Sequence, residues 1–145
     1  MLIRKLNFKK ISKNPGASTF SFATPESGGY FSEGSQFILD NFSKRTSDER
    51  LIEDVRFVSD ELVANAVEHG NIRDSNKKIN IFCLWLKDKF YFVVQDEGKG
   101  FDLSRPKYRS MPPPEGSLGL KYSKQRLDLV YNFQDSCSYA CKVLN

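Results

Sequence analysis

The segment that most constrains the fold of this chain is Ser59–Asn71, which reads SDELVANAVEHGN. Apolar residues lead into it at helical spacings of four, three and four: Leu51, Val55, Val58 and Leu62. This pattern predicts one amphipathic helix. It would carry Glu61, Asn65 and His69 at intervals of four. Because side chains at i and i+4 project from nearly the same face, we expect a polar stripe of carboxylate, carboxamide and imidazole.

Both ends of this helix have sequence signals. Thr46 and Glu49 have the spacing of a capping box, in which the hydroxyl accepts from free backbone amides and the glutamate reaches back. We therefore expect the helix to begin at 46–49 and to stop at Gly70. At ~100° per residue, Asn65 falls ~20° from Val58 around the helix axis, so the asparagine should face the core.

A core-facing asparagine admits two interpretations. A buried amide without a partner costs about 1–3 kcal/mol, so an interaction must offset its burial. In the first interpretation, the Asn65 side chain and nucleotide phosphates hold Mg²⁺, and Glu61 orients or deprotonates a nucleophile. In the second, Asn65 bonds a neighbouring strand and Glu61 is solvated. For His69 we expect a supporting role beside a nucleotide, since a single histidine at a helix end usually caps or packs.

The remaining pattern predicts an α/β protein. A first helix is expected within Phe31–Phe42, and alternation predicts a hairpin of Ile79–Leu86 with Phe90–Gln95. We further expect edge strands and loops in 1–30, a helix from Gly116 through Leu120, Leu127 and Leu129, and a final hairpin of 130–134 with 139–144. This order predicts a single domain over 1–145, a two-layer sandwich with a mainly antiparallel sheet packed on helices.

The first hairpin ends at Asp96, which Gly98 and Gly100 follow at alternate positions. A buried carboxylate here can accept the exocyclic amine of adenine, and the glycines let the backbone pass close to the ring. Guanine presents an oxygen at that position, so the carboxylate would select ATP over GTP. The alternative is a plain Asp-Gly turn.

A proline-rich segment follows, because residues 103–115 contain four of the six prolines. A loop of this length in a compact domain is usually a lid or a binding loop, and we place the predicted lid at 103–118. The next residues would open a helix whose free amides and positive end can bind phosphates: Gly116, Ser117, Leu118, Gly119 and Leu120. An ordinary loop-to-helix junction would look the same.

Composition and absent motifs exclude several other functions. The chain has no GxxxxGK[ST] loop, no GxGxxG fingerprint, and only one histidine for a catalytic triad. The net charge of +4 comes without a long basic run, so nucleic acid is not an expected partner. The three cysteines form no CxxC pair, and the first 14 residues lack the apolar centre of a signal peptide. We therefore expect a cytoplasmic location and no membrane association.

In this order and spacing, ELVANAVEHGN, DEGKGFD, the proline-rich segment and GSLGL resemble the N, G1 and G2 boxes of the GHKL ATPases. That superfamily includes histidine kinases, gyrase and MutL. The similarity runs from about Phe31 to the C-terminus. Within the superfamily the chain most resembles the anti-sigma-factor serine/threonine-protein kinases of bacterial partner-switching systems.

The resemblance implies a Bergerat-type fold that binds ATP and Mg²⁺. By position, Asn65 would hold Mg²⁺, Asp96 would bind adenine and Glu61 would be the general base. The glycines would shape the base-side loop (Gly98, Gly100) and the hinges of the phosphate-side lid (Gly116, Gly119). It also implies a homodimer that binds a sigma factor and phosphorylates a serine of an antagonist with a STAS domain.

Two departures from the family pattern support an alternative function. Members commonly carry an arginine on the first helix that contacts the partner, whereas this chain has none between Arg4 and Arg45. Ser117 stands where the G2 box usually has glycine. The alternative is a module whose ATP-gated lid controls partner binding without phosphoryl transfer. A detached histidine-kinase catalytic domain is less consistent with the short lid.

Overall fold

The computed structural model describes residues 8–27, 32–98, 127–132 and 137–143. The helices are α1 (Phe8–Ser12), α2 (Ser32–Phe42) and α3 (Glu49–Asn65), and a π-helical turn (Ala66–Gly70) continues α3. The strands are β1 (Ser18–Ala23), β2 (Lys78–Leu86), β3 (Lys89–Gln95), β4 (Asp128–Asn132) and β5 (Cys137–Val143). None of the described helices is long and apolar enough to cross a membrane.

The strands form one five-stranded sheet in the order β1-β2-β3-β5-β4. Each neighbouring pair is antiparallel. The β2–β3 hairpin lies between the N-terminal edge strand and the C-terminal hairpin, with Leu86 paired to Lys89 across a two-residue turn. The predicted sandwich with a mainly antiparallel sheet is confirmed.

The main core lies between one face of this sheet and the helices α2 and α3. The alternation in β2 puts Ile79, Ile81 and Cys83 on this face, as the sequence predicts. The helices contribute a second set of buried side chains: Ile38, Leu39, Phe42, Val55, Val58, Leu62, Val63 and Val67. The sheet therefore provides a rigid base on which α3 and its polar residues are fixed.

The opposite face of the sheet has a smaller apolar cluster. Ile11 of α1 packs there with Leu84, Tyr91 and Val93. This explains why β3 is apolar nearly throughout, since its side chains are buried on both faces. Helix α1 was not predicted, because only edge strands and loops were expected in 1–30. The predicted edge strand exists as β1.

The start of α3 differs in detail from the capping-box prediction. Asp48 is the N-cap, and its carboxylate accepts from the backbone N–H groups of Arg50 and Leu51 at 3.0 and 3.3 Å. The Thr46 hydroxyl instead accepts from the Asp48 N–H at 3.1 Å. A carboxylate at the helix start also interacts favourably with the helix dipole, so the aspartate is the stronger cap.

The helical segment ends at Gly70, as predicted, but its last turn is π-helical rather than α-helical. The Asn71 N–H bonds the Ala66 carbonyl at 2.8 Å, which closes the π-helical turn. The left-handed residues that reverse the chain are Ile72 and Arg73, with φ of 52° and 56°. The left-handed backbone thus begins two residues after Gly70, whose lack of a side chain instead permits a close contact described below.

The predicted C-terminal helix is wrong in its last part. Leu129 lies in β4, not in a helix. Leu127 itself is buried in the main core. The final hairpin is confirmed as the pair of β4 and β5, which begin two residues before the predicted strands. The predicted helix start at Gly116 and the lid at 103–118 lie outside the described residues.

The cap assignment can be tested by substitution. We expect Asp48→Ala to lower the free energy of unfolding by ~1 kcal/mol, because two backbone N–H groups lose their acceptor. Thr46→Ala is the matched control, and it should cost only about 0.3 kcal/mol. Urea denaturation of both variants is the measurement. If Thr46→Ala lowered the free energy of unfolding more than Asp48→Ala does, Thr46 rather than Asp48 would be the N-cap.

Candidate functional site

The side chain of Asn65 faces inward at the last position of α3. It is 6% exposed, and its Nδ2 has no hydrogen-bond partner among the described residues. A buried amide left in this state is costly, so natural proteins seldom keep one without a ligand or water to pair it. The buried position agrees with the predicted orientation, and none of the described strands supplies an acceptor for this nitrogen.

The rest of the predicted polar stripe is only partly formed. Glu61 is half-buried one turn before Asn65, on the same helix. His69 is exposed, because it lies in the π-helical turn, where the wider spacing rotates it relative to an α-helical i+4 position. Glu61 and Asn65 are thus both at least partly buried on α3, whereas the side chain of His69 is exposed.

Asp96 lies directly after β3 and is 8% exposed. Its Oδ1 accepts from the Gly98 N–H at 2.8 Å. Burial raises the pKa of the Asp96 carboxyl to about 6, although the Gly98 hydrogen bond and the charge of Lys77 lower it. The carboxylate is therefore largely ionised at neutral pH, in a buried position suited to accept from a bound N–H group.

Two glycines bring the end of the α3 segment against the loop after β3. A methyl group on Gly70 would overlap the Asp96 carboxylate, and one on Gly98 would overlap the Gly70 carbonyl. The two backbones can approach this closely only because neither residue has a side chain. This contact places the Asp96 carboxylate beside the end of the helical segment that carries Asn65.

Sequence reasoning assigned no role to Asn71, which the structure places at the centre of the same contact. Asn71 is 0% exposed, and its Nδ2 donates to Thr24 Oγ1 at 2.8 Å and to the Lys78 carbonyl at 3.0 Å. Its Oδ1 accepts from the Glu97 N–H at 2.7 Å. The only sequence signal was an asparagine directly after the glycine of the helix end.

The chain leaves this contact through a strained but well-bonded turn. Ile72 is the only large hydrophobic side chain among the described residues that is mostly exposed, at 73%. Left-handed backbone is unfavourable for a β-branched residue. The turn is held by the bond from the Arg73 N–H to the Val67 carbonyl at 2.9 Å and by an Arg73–Glu68 ion pair at 2.8 Å.

The described residues fit a nucleotide with Mg²⁺ better than a protein-only metal site. Among the described residues, no group of three or more His, Cys, Asp or Glu side chains could hold a metal. Mg²⁺ keeps several waters and needs few protein ligands when phosphates supply the rest. The Asn65 amide, buried and incompletely paired, suits such a site. The predicted residues Gly100, Gly116, Ser117, Leu118, Gly119 and Leu120 lie outside the described part of the chain.

Comparison with known proteins agrees with this geometry. A family model described as a histidine kinase-like ATPase domain matches residues 32–139. Similar proteins include the serine-protein kinase RsbW of Staphylococcus aureus strains JH9 and Newman, each 33% identical over 95 residues. The match covers 59% of this chain and 60% of each relative, so the chain spans about 60% of the curated relatives' length.

We expect Asp96→Asn to stabilise the ligand-free protein at neutral pH. Between about pH 4 and 6 the folded carboxyl keeps a proton that the unfolded one has lost, so the Asp96 contribution to stability falls as the pH rises. Above this range the penalty is complete, on the order of 3 kcal/mol. Denaturation at pH 7 should show this gain for the variant, and the gain should disappear near pH 4. A variant less stable than wild type at pH 7 would contradict this.

Gly70→Ala should destabilise the protein by about 2–4 kcal/mol, because its methyl group would displace Asp96. In an unconstrained helical turn the same change would stabilise, so the sign is diagnostic. Gly16→Ala is the matched control, since its methyl group would meet mainly the flexible Asn14 side chain. Thermal unfolding of both variants is the measurement. A stable Gly70→Ala protein would mean that Gly70 is not in close contact with the Asp96 side chain.

Proposed function

We propose, since this chain belongs to the family of histidine kinase-like ATPase domains, that it binds ATP with Mg²⁺ and acts as a serine/threonine-protein kinase of the anti-sigma-factor type. One observation carries the proposal. The inward-facing Asn65 amide has an unpaired Nδ2 and lies one turn after the half-buried Glu61. This pair of side chains has the composition that phosphoryl transfer requires: a ligand for the metal–phosphate group and a base.

The proposed role of Glu61 is general base. Its carboxylate would accept the proton of the attacking serine hydroxyl as the serine oxygen bonds the terminal phosphorus of ATP. The bond from that phosphorus to its bridging oxygen breaks, and ADP leaves. A half-buried carboxylate suits this role, because it is close enough to the surface for the serine of a protein substrate to reach it.

Asn65 would hold the metal and Asp96 would bind the base. When bound, Mg²⁺ supplies charge neutralisation on the phosphate oxygens. Asn65 can contribute its side-chain oxygen to the metal while its Nδ2 donates to a phosphate oxygen. Asp96, held by Gly98, would accept from the adenine amine, and its buried charge would oppose the guanine oxygen. The proposed phosphate-side residues are Gly116, Ser117, Leu118, Gly119 and Leu120, with His69 in support and Gly100 beside the base.

The partners are proposed from the resemblance to the RsbW kinases. We expect a sigma factor or another regulatory protein as the bound partner, a STAS-domain antagonist as the phosphorylated substrate, and a homodimer as the active form. The serine-protein kinase names of the similar proteins support the substrate class.

A second candidate function is an ATP-gated protein-interaction module without phosphoryl transfer. One observation favours it: α2, the first long helix, has the sequence SEGSQFILDNF and contains no basic residue. A phosphorylated serine on a partner would find no cation on this helix. In this case nucleotide binding alone would change the affinity for the partner.

Glu61→Gln separates the two functions. If the chain is a kinase, the variant should lose phosphoryl transfer by about 10²–10⁴-fold, because the amide cannot accept the serine proton. Affinity for ATP should stay within about threefold, since Asn65 and Asp96 remain. Transfer of labelled phosphate to a STAS-domain protein from the same genome and calorimetric titration with ATP are the two measurements.

The matched control is Glu53→Gln, which changes an exposed glutamate on the same helix and should leave both quantities unchanged. If the wild-type protein binds ATP but phosphorylates no STAS-domain protein, the kinase function is wrong and the interaction module is supported. If Asn65→Ala binds ATP–Mg²⁺ as well as wild type does, the proposed site itself is wrong.

A further inference from the structure

We propose that Asn71 and Thr24 are positioning residues that set the location of Asp96 and thereby the preference for adenine over guanine. Neither residue belongs to the predicted nucleotide contacts. The inference rests on the proposed function, because it takes Asp96 to be the group that binds the base. It assigns the placement of that group to a buried network reaching from β1 to the loop after β3.

The orientation of the Asn71 side-chain amide is fixed by its hydrogen-bond partners. A backbone N–H can only donate and a backbone carbonyl can only accept. Oδ1 must therefore face the Glu97 N–H, and Nδ2 must face the Lys78 carbonyl. The second hydrogen of Nδ2 is donated to Thr24 Oγ1. With full burial and three hydrogen bonds, this side chain has one orientation and no freedom to rotate.

The Thr24 hydroxyl both donates and accepts a hydrogen bond. Thr24 is 2% exposed and directly follows β1. Its hydroxyl donates to the Lys77 carbonyl at 2.8 Å, so the oxygen is left to accept from Asn71. The Thr24 N–H bonds the same Lys77 carbonyl at 3.0 Å. The network thus ties the end of the edge strand to the start of β2 and to Asn71.

The residue after Asp96 connects this network to the base-binding loop. Glu97 is held at two points, since its N–H donates to Asn71 Oδ1 and its Oε2 accepts from the Lys78 N–H at 2.6 Å. Asp96 itself has a hydrogen bond to Gly98 within its own loop. The Asn71 and Lys78 bonds to Glu97 therefore join this loop to the helix end and to β2, in addition to the close packing of Gly70 against Asp96 and Gly98. A loss of the network would let the Asp96 carboxylate shift.

The consequence for binding is specific to the base. A carboxylate displaced by a few tenths of an ångström forms a poorer hydrogen bond with the adenine amine, and it opposes the guanine oxygen less. ATP affinity should fall while GTP affinity stays the same or rises. A network that served only folding would instead change the unfolding temperature and affect the binding of both nucleotides equally.

The test compares Thr24→Val with Thr24→Ser in the full chain. Valine keeps the shape of threonine and removes the hydroxyl, whereas serine keeps the hydroxyl. Calorimetric titrations with ATP and GTP are made at a temperature at which circular dichroism shows each variant to be fully folded. We expect Thr24→Val to weaken ATP binding about three- to tenfold with unchanged GTP binding, and Thr24→Ser to remain within about twofold of wild type.

Asn71→Asp provides a second variant. It keeps the size and the acceptor toward Glu97 but places a carboxylate oxygen against the Lys78 carbonyl. We expect a larger loss of the ATP-to-GTP preference, by at least about tenfold. If this variant does not fold, Thr24→Val alone decides the matter.

Asp96→Asn is the reference variant that distinguishes a failure of the positioning role from a failure of the proposed base-binding role of Asp96. If Asp96→Asn abolishes the preference for ATP while Thr24→Val changes only the unfolding temperature, the positioning role is wrong and the proposed function stands. If Thr24→Val lowers the affinities for ATP and GTP equally, the positioning role is also wrong. If Asp96→Asn leaves the preference intact, the base-binding role of Asp96 is wrong, and the inference fails with it.

Discussion

The candidate site depends on the backbone contact between Gly70 and the loop from Asp96 to Gly98. Without a side chain on either glycine, the end of the long helical segment lies directly against the strand end that carries the buried carboxylate. The contact joins the amide proposed for the metal and the carboxylate proposed for the base into one site, although they come from separate elements. Because both elements are anchored on the apolar face of the sheet, the geometry between them is fixed by the core.

The protein retains two destabilising features at this site. The Asn65 amide is buried with an unpaired nitrogen, and the Asp96 carboxyl is buried deeply enough to raise its pKa to about 6. Each lowers the stability of the ligand-free fold, and each would be paired by a nucleotide with its metal. The left-handed backbone at Ile72 adds a further cost nearby. Such a concentration of unfavourable groups at one location is typical of a functional site.

The family and its ordered motifs could be predicted because they depend on local spacing. The periodicity of Val58 and Leu62 predicted that Asn65 faces inward, and the structure agrees. His69 lies in a π-helical turn that changes the angular spacing after Asn65, and its imidazole is exposed, so its supporting role stays a prediction. Helix α1 could not be predicted because its stability depends on Ile11 packing against β2 and β3, which are distant in sequence.

The sequence alone determined the long helix α3, the alternating faces of β2 and the inward direction of Asn65. All three follow from periodicities of two and 3.6 residues along the chain. Only the tertiary structure decided the role of Asn71 and the reason for glycine at 70 and 98. Asn71 bonds Thr24, 47 positions earlier, and Glu97, 26 positions later. Hydrogen-bond partners that distant are chosen when the strands and the helix pack, and no local pattern encodes them.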